Sequence, residues 1–410
     1  MQEIINFLLE QKKFHKPDVI AQVFEILKLK IDANKVILVA GTNGKGTVCA
    51  TLQTLLRAAG KNIGMFTSPH LVKINERIKY NCVDISNVDF CEIFSTIYPK
   101  IAQFELSYFE YLTVMAAYYF FSVQKVDYAI FEVGLGGTLD STNAIPHNIS
   151  VITKLGLDHE DILGAGIKNI AKNKFGIIRN NNSVFHEKFD GEINEFARCV
   201  AQERNANLIP SDNYELMVES GPNFFIKMYG RTYPINLVGE RAAENIALAV
   251  TIFKNIVGEK DFKKYLPALK QIKWPGRMQK ILYSGREIFL SGDHNPQGIQ
   301  SLIELLKYYE YEKIHFVVGI CRDKDHNTML EKLMAVQNSF LYLTETPEKT
   351  RNFDDYGKKW EKIATFNSSD PITTLNYAIV HASCKDMIVV TGSLYLVGKI
   401  SDYSTSLAKE

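Results

Sequence analysis

Short, mostly apolar runs at Val36 to Ala40, Asn62 to Phe66, Tyr128 to Val133 and Ile149 to Lys154 are separated by longer stretches whose apolar residues recur every three or four positions. Runs of that length bounded by turn residues read as buried strands, and the periodic stretches between them as helices laid on a sheet. The pattern predicts helices over 48–59 and 87–124, and one carrying Lys172, Asn173 and Lys174. Residues 1–30 read as two helices broken near Pro17, with Val19, Val23, Ile26 and Leu27 on one face. Residues 180–237 alternate short apolar and polar runs around a hairpin signal at Tyr229-Gly230, which predicts strands decorating the first domain, and helices follow at 240–256 and 261–270. Lys273-Trp-Pro-Gly-Arg277 stops the last of these, since Pro and Gly together break a helix. Beyond it, strands at 287–291, 314–318, 340–344 and 387–391 alternate with helices from about 297, from about 327, over 371–383 and at the end of the chain. The expectation is an α/β chain with one domain over 1–273 and a smaller, doubly wound Rossmann-like domain over 274–410.

A length of 410 residues suits two cores. With 47 Lys+Arg against 46 Asp+Glu the net charge is +1, which gives no global electrostatic case for nucleic acid or an anionic membrane. Cys49, Cys82, Cys91, Cys199, Cys321 and Cys384 form no C-x-x-C pair, which argues against a zinc site and a disulfide framework and fits a reducing cytoplasm. The longest apolar block, Leu112 to Phe121, is too short to span a bilayer, and the N-terminus is unlike a signal peptide. The expectation is a soluble, cytoplasmic protein, monomeric, whose partners are small molecules.

The chemistry centres on Val39-Ala-Gly-Thr-Asn-Gly-Lys-Gly-Thr47, a Gly-rich turn between a strand and a helix. Glycines let the backbone N–H groups point inward, the helix N-terminus adds partial positive charge, and Lys45 reaches outer phosphates while Thr47 is placed to hold Mg²⁺. This makes the first domain a P-loop-type central-sheet ATPase. The fit to G-x-x-x-x-G-K-[ST] is imperfect, because Val39 stands where the first glycine belongs and Gly46 separates Lys45 from Thr47. Three further strand ends deliver polar groups to the same edge: Ser68, Glu132, and Asp158 with His159. Aromatic residues crowd Ser107 to Thr113, where core packing is the simplest account.

Taken in order, AGTNGKGT (40–47), TSPHL (67–71), SYFEYLT (107–113), EVGLGG-LD-TN (132–143), GLDHEDILG (156–164), WPGR (274–277), HNP (294–296), DKD (323–325) and TGS (391–393) make the chain resemble the Mur ligase superfamily, in its dihydrofolate synthase/folylpolyglutamate synthase branch. The resemblance implies that Thr42, Asn43, Gly44 and Lys45, with Gly46 and Thr47 in the same motif, form the ATP-phosphate loop. It implies that Ser68, Glu132 and His159 are metal ligands and that Lys174 is carbamylated and joins them. Asn245 and Arg277 match nucleotide contacts. His294 and Ser393 match residues near the incoming glutamate, and Ser107, Tyr108, Phe109 and Glu110 with Leu139, Asp140 and Ser141 match pteroate-binding segments. The implied cofactors are ATP and one or two Mg²⁺ ions, with K⁺ as a further ion. The implied reaction transfers the γ-phosphoryl of ATP to a carboxylate, and the glutamate amine then displaces phosphate from the acyl phosphate. Lys45, Lys174 and His294 are its expected catalytic residues.

The sequence departs from the family pattern at several places. Asn173 stands for a Glu and Phe175 for an Ala beside Lys174, Arg241-Ala242 for a His-Gln pair, and Thr138 for an Arg. Ser291 takes the place of a nucleotide-contacting Asp, with Asp293 two residues on as a candidate substitute. Two alternatives stay open at this point: a Mur-type ligase for a cell-wall precursor, and a nucleotide-binding scaffold that has lost turnover.

Overall fold

The structure is a computed structural model and describes residues 1–219 and 221–407. Its first sheet has eight strands: β1 (Val36–Ala40), β2 (Ile63–Phe66), β3 (Ile78–Tyr80), β4 (Val83–Asp84), β5 (Tyr128–Glu132), β6 (Ile149–Ile152), β7 (Ser183–His186) and β8 (Asn207–Pro210), in the order β4-β3-β2-β5-β1-β6-β7-β8. All pairings are parallel except those of β3 and β4. Every residue of β1 is buried, which is why its sequence is apolar without alternation: helices cover both faces of a parallel sheet. From β1 the chain leads to β2 on one side, and from β6 to β7 on the other. The carboxyl ends of β1 and β6 therefore flank a topological switch point, and the Gly-rich turn opens there.

A three-stranded sheet, order β11-β10-β9, follows from β9 (Glu215–Glu219), β10 (Asn223–Met228) and β11 (Arg231–Ile235). The last sheet is built from β12 (Arg277–Tyr283), β13 (Arg286–Ser291), β14 (Ile314–Val318), β15 (Ser339–Thr344), β16 (Phe366–Ser368) and β17 (Met387–Thr391), in the order β12-β13-β17-β14-β15-β16. Only β12 is antiparallel to its neighbour. From β14 the chain moves outward to β15, whereas the helix Leu394–Leu407 after β17 packs back toward β12 and β13, so this sheet has its own switch point between β14 and β17. The chain divides into a unit of residues 1–215, 227–234 and 242–272 and a unit of residues 216–226, 235–241 and 273–410.

The α/β class and the strand–helix alternation of both halves are as expected, with local corrections. The 180–237 stretch does more than decorate the first domain: β7 and β8 extend the central sheet, with a helix, Gly191–Glu203, between them. That helix carries many polar residues over its exposed face, which disguises its period. The second N-terminal helix, Pro17–Ile26, buries Ile20, Val23 and Phe24 with Leu27 just beyond it, while Ile26 stays exposed, because the i, i+3, i+4, i+7 stripe starts at Ile20 rather than Val19. Residues 87–124 break into Asn87–Ile101 and Tyr108–Tyr118, with Ser107 capping the second. β12, β16 and the helix Lys358–Ile363 are additional elements.

Candidate active site

Gly44 sits at φ +93° as the N-cap of the helix Lys45–Ala58. A Cβ there would lie 1.9 Å from Asn245 Oδ1, so the Asn245 side chain rests directly on the loop backbone. The helix's first i→i−4 bond runs from the Val48 amide to the Gly44 carbonyl, 3.0 Å, so the amides of Lys45, Gly46 and Thr47 are the orphan donors of a helix N-terminus. The amides of Thr42 and Asn43 instead donate to the Lys154 carbonyl at 2.9 and 3.2 Å, and Thr153 Oγ1 donates to the Asn43 carbonyl at 2.7 Å. Thr42 Oγ1 exchanges bonds with both the amide and the carbonyl of Gly156, at 3.1 and 3.0 Å. The end of β6 thus holds the loop in shape, a role for Thr153 that no motif announces.

Lys45 Nζ donates to the Gly41 carbonyl at 3.2 Å and lies 3.9 Å from Glu132 Oε1. Lys174, from the helix Ile167–Phe175, is 5% exposed and donates to the same Gly41 carbonyl at 2.8 Å. Burial, reinforced by the Lys45 charge and opposed by Asp158 and Asp140, lowers its amine to about 7. Glu132, buried at the end of β5, accepts from the Ser68 amide at 3.1 Å. His159 lies against Asp158, Nε2 to Oδ1 3.9 Å. Among the described residues no group of three or more His, Cys, Asp and Glu converges. The donors that the family resemblance nominates are instead the Glu132 carboxylate, the hydroxyls of Thr47 and Ser68, and the His159 imidazole, with the Asp158 carboxylate beside the last. Such an oxygen-rich, low-charge set suits a hard divalent cation that takes its remaining ligands from water and phosphate.

Ser107 and Glu110 form a capping box, and Glu110 also accepts from the His15 amide at 2.6 Å and meets His15 Nδ1 at 3.0 Å. Glu110 therefore ties the N-terminal segment to the helix that Ser107 caps. Phe109 fills the space beside Gly134, where a Cβ would come within 2.7 Å of its ring. The guanidinium of Arg77 lies 5.4 Å from the Tyr108 ring centroid and donates to His70 Nδ1 at 2.8 Å; burial and that charge lower His70 to about 4. Asp140 is buried and accepts from the amides of Leu135 and Thr142 at 2.9 and 3.0 Å. Ser141 bonds Thr113 across a buried 2.8 Å contact, whereas Leu139 is 51% exposed. His15 and Arg77 belong to this neighbourhood without belonging to a recognised motif.

In the second unit, Ser291 Oγ donates to Asp293 Oδ2 at 2.6 Å. Burial pushes the Asp293 carboxyl up, while Arg277, the Ser291 hydroxyl and Arg241 pull it down. His294 Nδ1 lies 2.9 Å from the Gly292 carbonyl. Asn295 and Pro296 of the HNP motif are the N-cap and first residue of the helix Pro296–Leu306, with Asn295 Oδ1 accepting from the Gly298 amide at 2.8 Å. The Gly392 amide donates to the Asp293 carbonyl at 3.0 Å, bringing the turn after β17 against the turn after β13. Ser393 is only 1% exposed: its Oγ accepts from the Tyr395 amide at 3.1 Å and meets Cys321 Sγ at 3.3 Å.

Residues 39–253 match the Mur ligase middle domain, and residues 276–394 match the Mur ligase glutamate ligase domain. A dihydrofolate synthase/folylpolyglutamate synthase of Buchnera aphidicola is 30% identical over 95% of this chain and 92% of its own. A crystal structure of a bifunctional folylpolyglutamate synthase/dihydrofolate synthase with Mn, AMPPNP and L-glutamate bound is similar at 28% identity and TM-score 0.85, covering 98% of this chain and 97% of that one. Escherichia coli FolC in complex with DHPP and ADP aligns at 26% identity and TM-score 0.86 over 99% of this chain and 98% of that one. The chain belongs to the Mur ligase family and, within it, to the dihydrofolate synthase/folylpolyglutamate synthase group of C–N ligases.

Proposed function

We propose that the chain uses ATP to join L-glutamate to dihydropteroate and to folates already carrying glutamate, releasing ADP and phosphate. Residues 1–273 act as the ATP-binding domain and residues 274–410 as the glutamate domain. The observation that carries this reading is the meeting of Lys45 and Lys174 at the Gly41 carbonyl beside Glu132, at the helix N-terminus where phosphate binds most readily. A carboxylate anion resists attack by an amine. Its oxygen therefore first takes the γ-phosphoryl group as the bond to ADP breaks; the glutamate amine then attacks the acyl carbon, phosphate leaves, and the amine proton is lost.

Phosphoryl transfer calls for placement and charge neutralisation rather than a side-chain nucleophile. Lys45 and the first-turn amides of Lys45, Gly46 and Thr47 neutralise the phosphate oxygens, and Thr42 and Asn43 fix the loop. Asn245, Arg277 and the Ser291–Asp293 pair take the nucleotide. Thr47, Ser68, Glu132, His159 and a carbamylated Lys174 would hold Mg²⁺, one ion or two, with K⁺ as a further ion; the metal supplies charge neutralisation at the phosphates. With its pKa lowered to about 7, the Lys174 amine is largely neutral at pH 8 and able to add to CO₂, giving an anion where the donor set has one carboxylate. Ser107 to Glu110 and Leu139 to Ser141 bind the pteroate, and His294 and Ser393 serve the incoming glutamate. Phosphate release measured over a matrix of ATP, dihydropteroate, a folate and glutamate tests the reading: release requires all three substrate types. Release without glutamate, or with no pterin or folate acid, would overturn it.

A further inference from the structure

The reading above places the incoming glutamate in the second unit, and the inference here rests on that placement. At that unit's switch point the ends of β14 and β17 come so close that a Cβ on Gly392, φ +100°, would lie 2.8 Å from the Gly319 carbonyl oxygen. The turn that follows β14, residues 320–325, carries Cys321, whose Sγ meets Ser393 Oγ at 3.3 Å. This turn is held by a side chain from the loop after β15. Arg351 is 7% exposed, and all its hydrogen bonds go to main-chain carbonyls: Nη2 to Arg322 and Lys324 at 2.9 Å each and to Cys321 at 3.4 Å, and Nη1 to Asp355 at 3.3 Å. Its buried Nε makes no hydrogen bond. Tyr356, 2% exposed, lies under the guanidinium at 5.6 Å and accepts from the Ile320 amide at 2.9 Å.

A buried guanidinium ordinarily faces a carboxylate, because desolvating an unpaired charge is costly. Arg351 faces carbonyl dipoles instead, which stabilise the cation without cancelling it. Its net charge therefore remains at the turn, where Asp323 is paired with Lys349 at 3.3 Å and the N-terminus of the helix Leu394–Leu407 adds partial positive charge. The fork geometry also matters: one planar group ties carbonyls at three positions of the turn, which a lysine's single ammonium on a flexible stem does less rigidly.

We infer that Arg351, supported by Tyr356, is a positioning residue for the amino-acid substrate. It fixes the 320–325 turn, and with it the Cys321–Ser393 contact, and biases the crevice between β14 and β17 toward the carboxylate of the incoming glutamate. Three variants, Arg351→Gln, Arg351→Lys and Tyr356→Phe, are compared with the wild type in steady-state phosphate release, with melting curves recorded for each. Arg351→Gln is expected to raise the KM for glutamate by roughly tenfold or more while KM for ATP and kcat stay within about twofold, the signature of lost ground-state binding. Arg351→Lys, which keeps the charge, is expected to fall between. Tyr356→Phe keeps the ring and removes the hydroxyl that accepts from the Ile320 amide at 2.9 Å and donates to the Ile320 carbonyl at 3.5 Å, and its KM for glutamate is expected to rise by about threefold; it carries the test if Arg351→Gln fails to fold. An unchanged KM for glutamate in folded variants, or an equal rise in every KM, overturns the positioning role while leaving the ligase reading intact. A wild type whose phosphate release ignores glutamate removes the ligase reading itself, and this inference with it.

Discussion

Lys45 and Lys174 donate to a single oxygen, the carbonyl of Gly41, at 3.2 and 2.8 Å. Two ammonium groups so close repel one another, and the more buried of the two has the lowered pKa. Lys45→Ala is expected to abolish ligation with the fold intact, since losing a cation from the phosphate site costs transition-state stabilisation of order several kcal/mol. It should also raise the pKa of Lys174, because the neighbouring charge that depresses it is gone. Near-normal turnover by a folded Lys45→Ala protein would remove the assignment.

Lys174→Ala is expected to lose most activity, and Lys174→Glu or an added short-chain carboxylic acid to restore part of it. Carbamate formation needs the neutral amine, whose fraction falls as pH drops through about 7. Wild-type activity depleted of CO₂ should therefore recover with bicarbonate readily at pH 8 and poorly at pH 6. A mass spectrum and a crystal structure at pH 8 with bicarbonate, both showing an unmodified Lys174, would end the idea.

Gly44→Ala meets two separate obstacles: a φ of +93° that an L-residue adopts only under strain, and a Cβ position 1.9 Å from Asn245 Oδ1. The backbone part alone costs about 1–2 kcal/mol. Isothermal titration with ATP is expected to show weakened binding in a folded Gly44→Ala protein. An affinity equal to that of the wild type would mean that neither the backbone conformation nor the Asn245 contact matters to the loop.

Asp293→Ala is expected to weaken ATP binding, because a carboxylate makes a charge-assisted bond roughly twice as strong as a neutral hydroxyl does. Ser291→Ala removes only the 2.6 Å bond that orients this carboxylate, and should cost less. Equal affinities for ATP in wild type and Asp293→Ala would show that Asp293 does not stand in for the acid missing at 291.

His315 is buried between Tyr342, whose hydroxyl lies 2.8 Å from Nδ1, and Asp386, 3.3 Å from Nε2. Burial lowers its pKa, Asp386 opposes this, and Lys313 and Arg286 add to the lowering. Because the folded value lies below the unfolded one, the stabilisation is full above about 6.5 and is lost as pH falls below it. Urea midpoints are expected to decline between pH 7.5 and 5, and to decline less in His315→Gln. Parallel pH profiles for the two proteins would exclude His315 as the source.

Strands buried on both faces were readable because β1, β5, β14 and β17 are predominantly apolar runs without alternation, and the Gly-rich turn because its residue types follow from phosphate chemistry. The residues that secure those parts were not readable. Thr153 and Arg351 act through backbone partners, and a hydrogen bond to a carbonyl leaves no pattern in the partner's side chain; His15 meets the Glu110 carboxylate from a distant part of the chain. The helix Gly191–Glu203 was hidden for another reason, its largely exposed surface. Residues matched by resemblance carry structural work of their own: Ser107, Asn295 and Ser393 are helix caps, which explains their residue types before any ligand is considered.

The outermost strands of the two large sheets also determine what another chain would find there. β4 has two residues and β16 three, too few to offer a ladder of free amides and carbonyls. β8 ends in Pro210, which has no amide to donate, and β12 carries Lys280, paired with Glu287 on β13 at 2.9 Å. Edges this short, interrupted or charged are poor templates for adding a strand, so at the concentrations of a crowded cell they guard the native chain against sheet-to-sheet aggregation even where Leu282 on β12 is 72% exposed.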